Sequence, residues 1–217
     1  MNTDKTKERP ILFSGPMVRA ILNGTKTQTR RVVKPQPRRM MGGWVRMFNV
    51  WMFPNVCPVY RMKCPYGVPG DRLWVREAWR TTEGLDHVKP SNLVPGAPIL
   101  YEADIWNDGF PYGFPKGKLR PSIFLLRWAS RILLEITSVR VERVQDITEE
   151  DAKAEGIKHG MDAVYASALL EDKPLCPARR EFMLLWDTLN AKRGFGWDEN
   201  PWVWVVTFKK ITPTSTL

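Results

Sequence analysis

The chain has 217 residues, 43% hydrophobic and 26% charged, with 33 Lys and Arg against 23 Asp and Glu and a formal net charge of +10. Such a composition belongs to a folded globular protein and excludes a disordered polyelectrolyte. No apolar run approaches the roughly 18 residues of a membrane span, and the polar start Met1-Asn2-Thr3-Asp4-Lys5 lacks the apolar core of a secretory signal, so no membrane partner and a cytoplasmic location are expected.

The positive charge is localised. From Arg9 to Gly70 there is no acidic residue and there are 11 Lys or Arg, whereas residues 71 to 217 carry 20 basic and 21 acidic side chains. An acid-free block interleaved with Trp44, Phe48, Trp51, Phe53 and Tyr60 suits nucleic acid, with cations at phosphates and aromatic faces at bases. The same residues also fit a solvated surface over an ordinary core. Cys57, Cys64 and Cys176 are an odd number without an export signal, which points to reduced thiols. The Cys57-Cys64 spacing is too wide for a zinc knuckle, and His87 and His159 lie far from it, so no metal is expected.

In chain order, Pro10 to Phe13 reads as a short strand, and Ser14-Gly15-Pro16 opens a helix that carries Met17, Ile21 and Leu22 and stops at Gly24. Thr27 to Val33 is β-branched enough for a strand, ended by Lys34-Pro35-Gln36-Pro37. Residues 35 to 69 lack a clear period and read as an insertion or long loop carrying one short hairpin. Arg72 to Glu77 alternates as a strand with Leu73 and Val75 on one face. Residues 78 to 120 form a second excursion, rich in Gly and Pro, with a short strand at Ile99 to Glu102.

The longest regular pattern, Ile132 to Val144, predicts the central strand. Thr148-Glu149-Glu150-Asp151 resembles a capping box with Asp in place of Glu or Gln, and its helix ends at Gly156. Pro177 to Lys192 is amphipathic through Phe182, Leu185, Trp186 and Leu189, and Gly194 closes it. Pro201 to Lys210 predicts a last strand with Trp202, Trp204, Val206 and Phe208 on one face. Strands outnumber helices and lack regular crossover helices, so the expected class is α+β, a mixed β-barrel with short helices packed outside. One domain over residues 10 to 211 is expected, with flexible tails at 1 to 9 and 212 to 217.

The run Gly24-x-Lys26-x-x-Thr29-x-Arg31, between a short helix and a strand, resembles the ASCH-domain family of the PUA-like superfamily, a β-barrel group associated with RNA. Gly70-Asp71-Arg72-Leu73-Trp74-Val75 looks like the family's Gly-Asp turn into a barrel strand. Ile147 to Gly156 looks like its helix after the long strand, and the strand from Trp202 to Ile211 is also similar. The two insertions make this chain similar to the larger phage and prophage members. The resemblance implies a PUA-like barrel and, since some small members remove the acetyl group from the exocyclic amine of cytidine, an amidohydrolase acting through Lys26, Thr29 and Glu155 without a cofactor.

Amide hydrolysis needs a nucleophile, a base and oxyanion donors. Thr29 suits the nucleophile or the orientation of water. Lys26 suits the base if burial or Arg30 and Arg31 lower its pKa, and the oxyanion donor otherwise. Glu155, near a helix C-terminus, suits a proton shuttle. On an ideal strand Lys26 and Thr29 point to opposite faces, so a shared site requires Lys26 to lie in the loop after Gly24 or in a bulge. Arg30, Arg31, Lys34, Arg38, Arg39, Trp74 and Arg76 are the expected substrate or RNA contacts, the guanidinium forks suiting phosphate. The alternatives are a non-catalytic RNA-binding module and a ribonuclease.

Overall fold

The computed structural model describes residues 6–36, 45–47, 50–53, 60–104, 115–157 and 177–212. β1 (Glu8–Leu12) leads through Ser14 into α1 (Gly15–Leu22), which has proline in its first turn. Gly24, at φ 75°, then turns the chain at little cost because it has no Cβ to clash. β2 (Gln28–Val32) follows. Arg38 and Arg39 lie outside the described residues, as do Trp44 and Phe48.

The segment expected to carry one short hairpin holds three strands, β3 (Val45–Met47), β4 (Val50–Phe53) and β5 (Tyr60–Met62), in an antiparallel sheet of their own. After Gly70 come β6 (Arg72–Arg76), β7 (Trp79–Arg80) and β8 (Leu100–Tyr101), and β7 pairs antiparallel with β8. The long strand is β9 (Leu133–Arg143). α2 (Glu149–Ala154), α3 (Pro177–Asn190) and β10 (Trp202–Ile211) complete the chain.

The fold is α+β. Its main sheet is mixed, with strand order β1-β6-β9-β10-β2, so the longest sequence pattern is indeed the middle strand. β1 runs parallel to β6, β6 antiparallel to β9, and β10 antiparallel to β2. Among the described residues no ladder joins β1 to β2, and the sheet has two ends.

Contacts divide the chain into two compact units, residues 1–24, 70–135 and 209–217 in the first and 25–69 and 136–208 in the second. The first unit contains a cluster of Trp79, Leu93, Leu125 and Ala129. In the second, Phe182 and Trp186 of α3 pack with Val203 and Val205 of β10, Ala152 of α2 and Trp197. Val203 and Val205 alternate with Trp204 and Val206, and all four are buried, so β10 has apolar cover on both faces instead of the one face its Trp pattern suggests. β6 departs from simple alternation in the same way, with Leu73, Trp74 and Val75 all buried.

Candidate functional site

The site is built where α2 ends against the segment entering β2. Thr148 caps α2, its Oγ1 accepting from the Asp151 N–H at 3.1 Å. The helix stops at Glu155, the C-cap, before Gly156 at φ 84°. The last carbonyls of a helix have no partner within it. Here they are met from outside: Thr27 N–H donates to Ala154 O at 2.8 Å and Lys26 Nζ to Glu155 O at 2.8 Å. A cation at that end also suits the direction of the helix dipole.

Lys26 precedes β2 and makes an isolated bridge to Glu155, which meets the requirement that it lie outside the regular strand. Its Nζ donates to Glu155 Oε2 at 2.6 Å and to Gln28 O at 2.8 Å. Those contacts and Glu155 O provide an acceptor for each of the three ammonium hydrogens. The side chain has no exposed surface, and that of Glu155 is 5% exposed. Burial pulls the Lys26 ammonium below the ordinary lysine range; Glu155 opposes that pull, and Arg31 and Arg30 add to it.

A layer of further charges surrounds the pair. Arg30 donates to Glu142 Oε1 through Nε at 3.1 Å, to Asp151 Oδ2 at 2.8 Å, to Gln28 Oε1 at 2.6 Å and to Glu155 Oε1 at 3.4 Å. Arg140 joins Glu142 at 2.9 Å and also donates to Asp151. Gln28 Nε2 reaches Asp151 Oδ1 at 3.1 Å. Three cations thus face three carboxylates, and Phe182 of α3 lies under the Arg30 guanidinium at 5.7 Å. Burial raises the Asp151 carboxyl, but Arg30 and Arg140 more than offset this and hold it below the ordinary aspartate range.

Of the expected catalytic set, Lys26 and Glu155 are brought together. Thr29 is buried opposite Val206, and strand alternation sets it on the β2 face away from Gln28 and Arg30. No hydrogen bond links its hydroxyl to Lys26 or Glu155 among the described residues. Arg31 shares the Thr29 face, opposite Trp204. The expectation that Arg30 holds phosphate gives way here, because its side chain is fully buried and its fork is occupied by carboxylates. Lys34 Nζ lies 5.3 Å from the Phe195 ring. Trp74 and Arg76 belong to the first unit, where the guanidinium stacks on the indole at 4.5 Å.

Sequence reasoning did not single out Gln28, Arg140 or Glu142, and it read Asp151 only as a capping residue. The available signal was spacing: Gln28 and Arg30 on β2, and Arg140 and Glu142 on β9, lie two residues apart and so share a strand face. The Asp151 carboxylate serves Arg30, Arg140 and Gln28, so the second half of the expected capping box is diverted into the charge network. Among the described residues no group of three or more His, Cys, Asp or Glu is disposed to hold a metal ion. The sequence matches no family model, no curated protein and no solved structure.

Proposed function

We propose that the chain is an ASCH-type member of the PUA-like barrel superfamily and an amidohydrolase that removes the acetyl group from N4-acetylcytidine, as nucleoside or RNA base. The observation that carries this reading is the buried Lys26–Glu155 pair. A lysine becomes a useful base when its environment favours the neutral amine, and burial acts in that direction on Lys26. Ion pairs of this kind are weak contributors to stability, since well-packed apolar residues often replace them without loss, so their presence favours a chemical role.

In the proposed reaction water attacks the acyl carbon, the Lys26 amine takes the proton released, and the carbon–nitrogen bond breaks as that proton passes to the departing N4. Glu155 stabilises the ammonium formed between the two transfers. Thr29 is set on the other β2 face from this pair, so the attacking water is activated by Lys26 alone; Arg31, on the Thr29 face, is assigned an anion contact. The test is acetate release from N4-acetylcytidine offered as nucleoside, as nucleotide and within RNA. Turnover of at least one form is expected; no turnover of any of them overturns the reading.

A second reading, a non-catalytic RNA-binding module, is favoured by cations set over aromatic rings, Lys34 over Phe195 and Arg143 over Trp202 at 4.4 Å. It expects RNA affinity that falls steeply with salt and survives Thr29→Ala.

A further inference from the structure

The first unit holds a concavity that the Lys26–Glu155 chemistry does not use. It measures about 250 Å³ and is lined by His87, Val88, Lys89, Pro90 and the run Lys118 to Pro121 with Phe124. Three of these, Lys89, Lys118 and Arg120, are cationic, and no lining residue is acidic. Lys89 and Lys118 are exposed at the rim. Phe124 is 54% exposed and Leu119 50%, so apolar surface is open to solvent on the same lining as the two lysines.

The cavity wall is held in place from within. Arg120 is buried, donates to Val88 O and Leu85 O, both at 2.9 Å, and lies 5.2 Å from the Trp79 ring. It therefore ties the turn that carries His87 and Lys89 to β7, which its own backbone bridges. The opposite lip is fixed by the Asp86 carboxylate, which accepts from the Lys118 N–H at 2.8 and 2.9 Å. Gly117 permits that approach, since a Cβ there would meet Thr81 O at 2.5 Å and Asp86 Oδ1 at 2.6 Å. Arg120 Nε, on the lining residue, is buried without an acceptor among the described residues.

We propose that this cavity binds one nucleotide of a single-stranded nucleic acid, with the base against Phe124 and Leu119 and the phosphate between Lys89 and Lys118. The volume fits a single nucleotide better than a folded peptide element. An exposed aromatic face beside cations is the chemistry of single-strand binding: stacking tolerates any base while ammonium groups track the backbone. The fixed wall means that little ordering entropy is lost on binding. The proposal does not depend on acetyl hydrolysis, because none of these residues belongs to the Lys26 network.

Fluorescence anisotropy of the full chain with labelled oligouridylate, competed by uridine monophosphate and by inorganic phosphate, tests it. Phe124→Ala is expected to weaken oligonucleotide binding about tenfold, the scale of one lost stacking contact. Lys118→Ala is expected to lower the slope of log affinity against log salt by about one. Uridine monophosphate is expected to displace the oligonucleotide where phosphate alone does not. Binding unchanged by both substitutions, or competition by phosphate as strong as by the nucleotide, overturns the proposal. Far-ultraviolet circular dichroism and acetate release by the same variants separate loss of this cavity from loss of fold or of the Lys26 chemistry.

Discussion

Lys26 and Glu155 stand 129 positions apart in sequence and meet twice, the ammonium donating to the carboxylate at 2.6 Å and to the main-chain carbonyl at 2.8 Å. One lysine thereby neutralises a buried acid and closes the end of α2. The double contact gives this residue a structural role, so tests of its proposed chemistry must separate the two.

Removing one member of the pair leaves the other charge buried, which typically costs about 3–5 kcal/mol, whereas replacing both with apolar groups costs much less. Glu155→Gln is expected to destabilise more than Lys26→Met, because Arg30 still faces Glu155 in the latter. The double variant Lys26→Met with Glu155→Leu should be less destabilised than the sum of the singles. Urea unfolding of the four proteins gives the coupling directly.

The Lys26 pair also imposes a pH dependence. The folded-state pKa of Lys26 lies below the free value of 10.5, so between the two the unfolded chain binds more protons and stability rises with pH. The alkaline rise in unfolding free energy should be present in the parent chain and absent in Lys26→Met.

Asp151 acts at the other end of the scale. Its folded pKa is depressed below 3.8, so its stabilising contribution is complete above that value and is lost as the pH falls through the folded pKa. Acid titration followed by tryptophan fluorescence should show a shallower loss of stability for Asp151→Asn than for the parent chain.

Arg30 is held by three carboxylates, a geometry matched to a planar guanidinium. Arg30→Met is expected to cost about 3 kcal/mol or more by leaving buried acids unpaired. Arg30→Lys should recover only part of that, since an ammonium cannot reproduce the fork. Denaturant midpoints for the two variants check the order.

Gly117 is required for a different reason, the close approach of its neighbours. Gly117→Ala would force a methyl group against Thr81 O and Asp86, so a loss of about 1–3 kcal/mol is expected, as for other overpacked sites. Thermal unfolding measures it.

Much of this architecture was legible from local chemistry. Thr148 declared a helix start, and Gly24, Gly156 and Gly194 all adopt the positive φ that their role as stops implies. The alternation of β9 marked the middle strand. Less was readable where alternation fails: β10 buries Val203 and Val205 as well as Trp204 and Val206, so no polar face revealed its second packing surface. The sheet of β3, β4 and β5 was read as a single hairpin because Met, Pro and Gly in that segment obscure a two-residue period in strands of three or four residues. Within the site, Lys26 and Glu155 were implied by the family resemblance of the Gly24-to-Arg31 motif and of the helix ending at Gly156. The Arg30 environment was not readable, because Glu142 and Asp151 each look like surface charges until the strand and the helix are assembled.

The most direct measurement is acetate release from N4-acetylcytidine by the parent chain, Lys26→Met, Glu155→Gln and Thr29→Ala, each shown to be folded by circular dichroism. Turnover by the parent chain that is lost in both Lys26→Met and Glu155→Gln and kept in Thr29→Ala is the predicted result. Turnover that persists in a folded Lys26→Met protein, or none in the parent chain, would contradict a proton-transfer role for the pair.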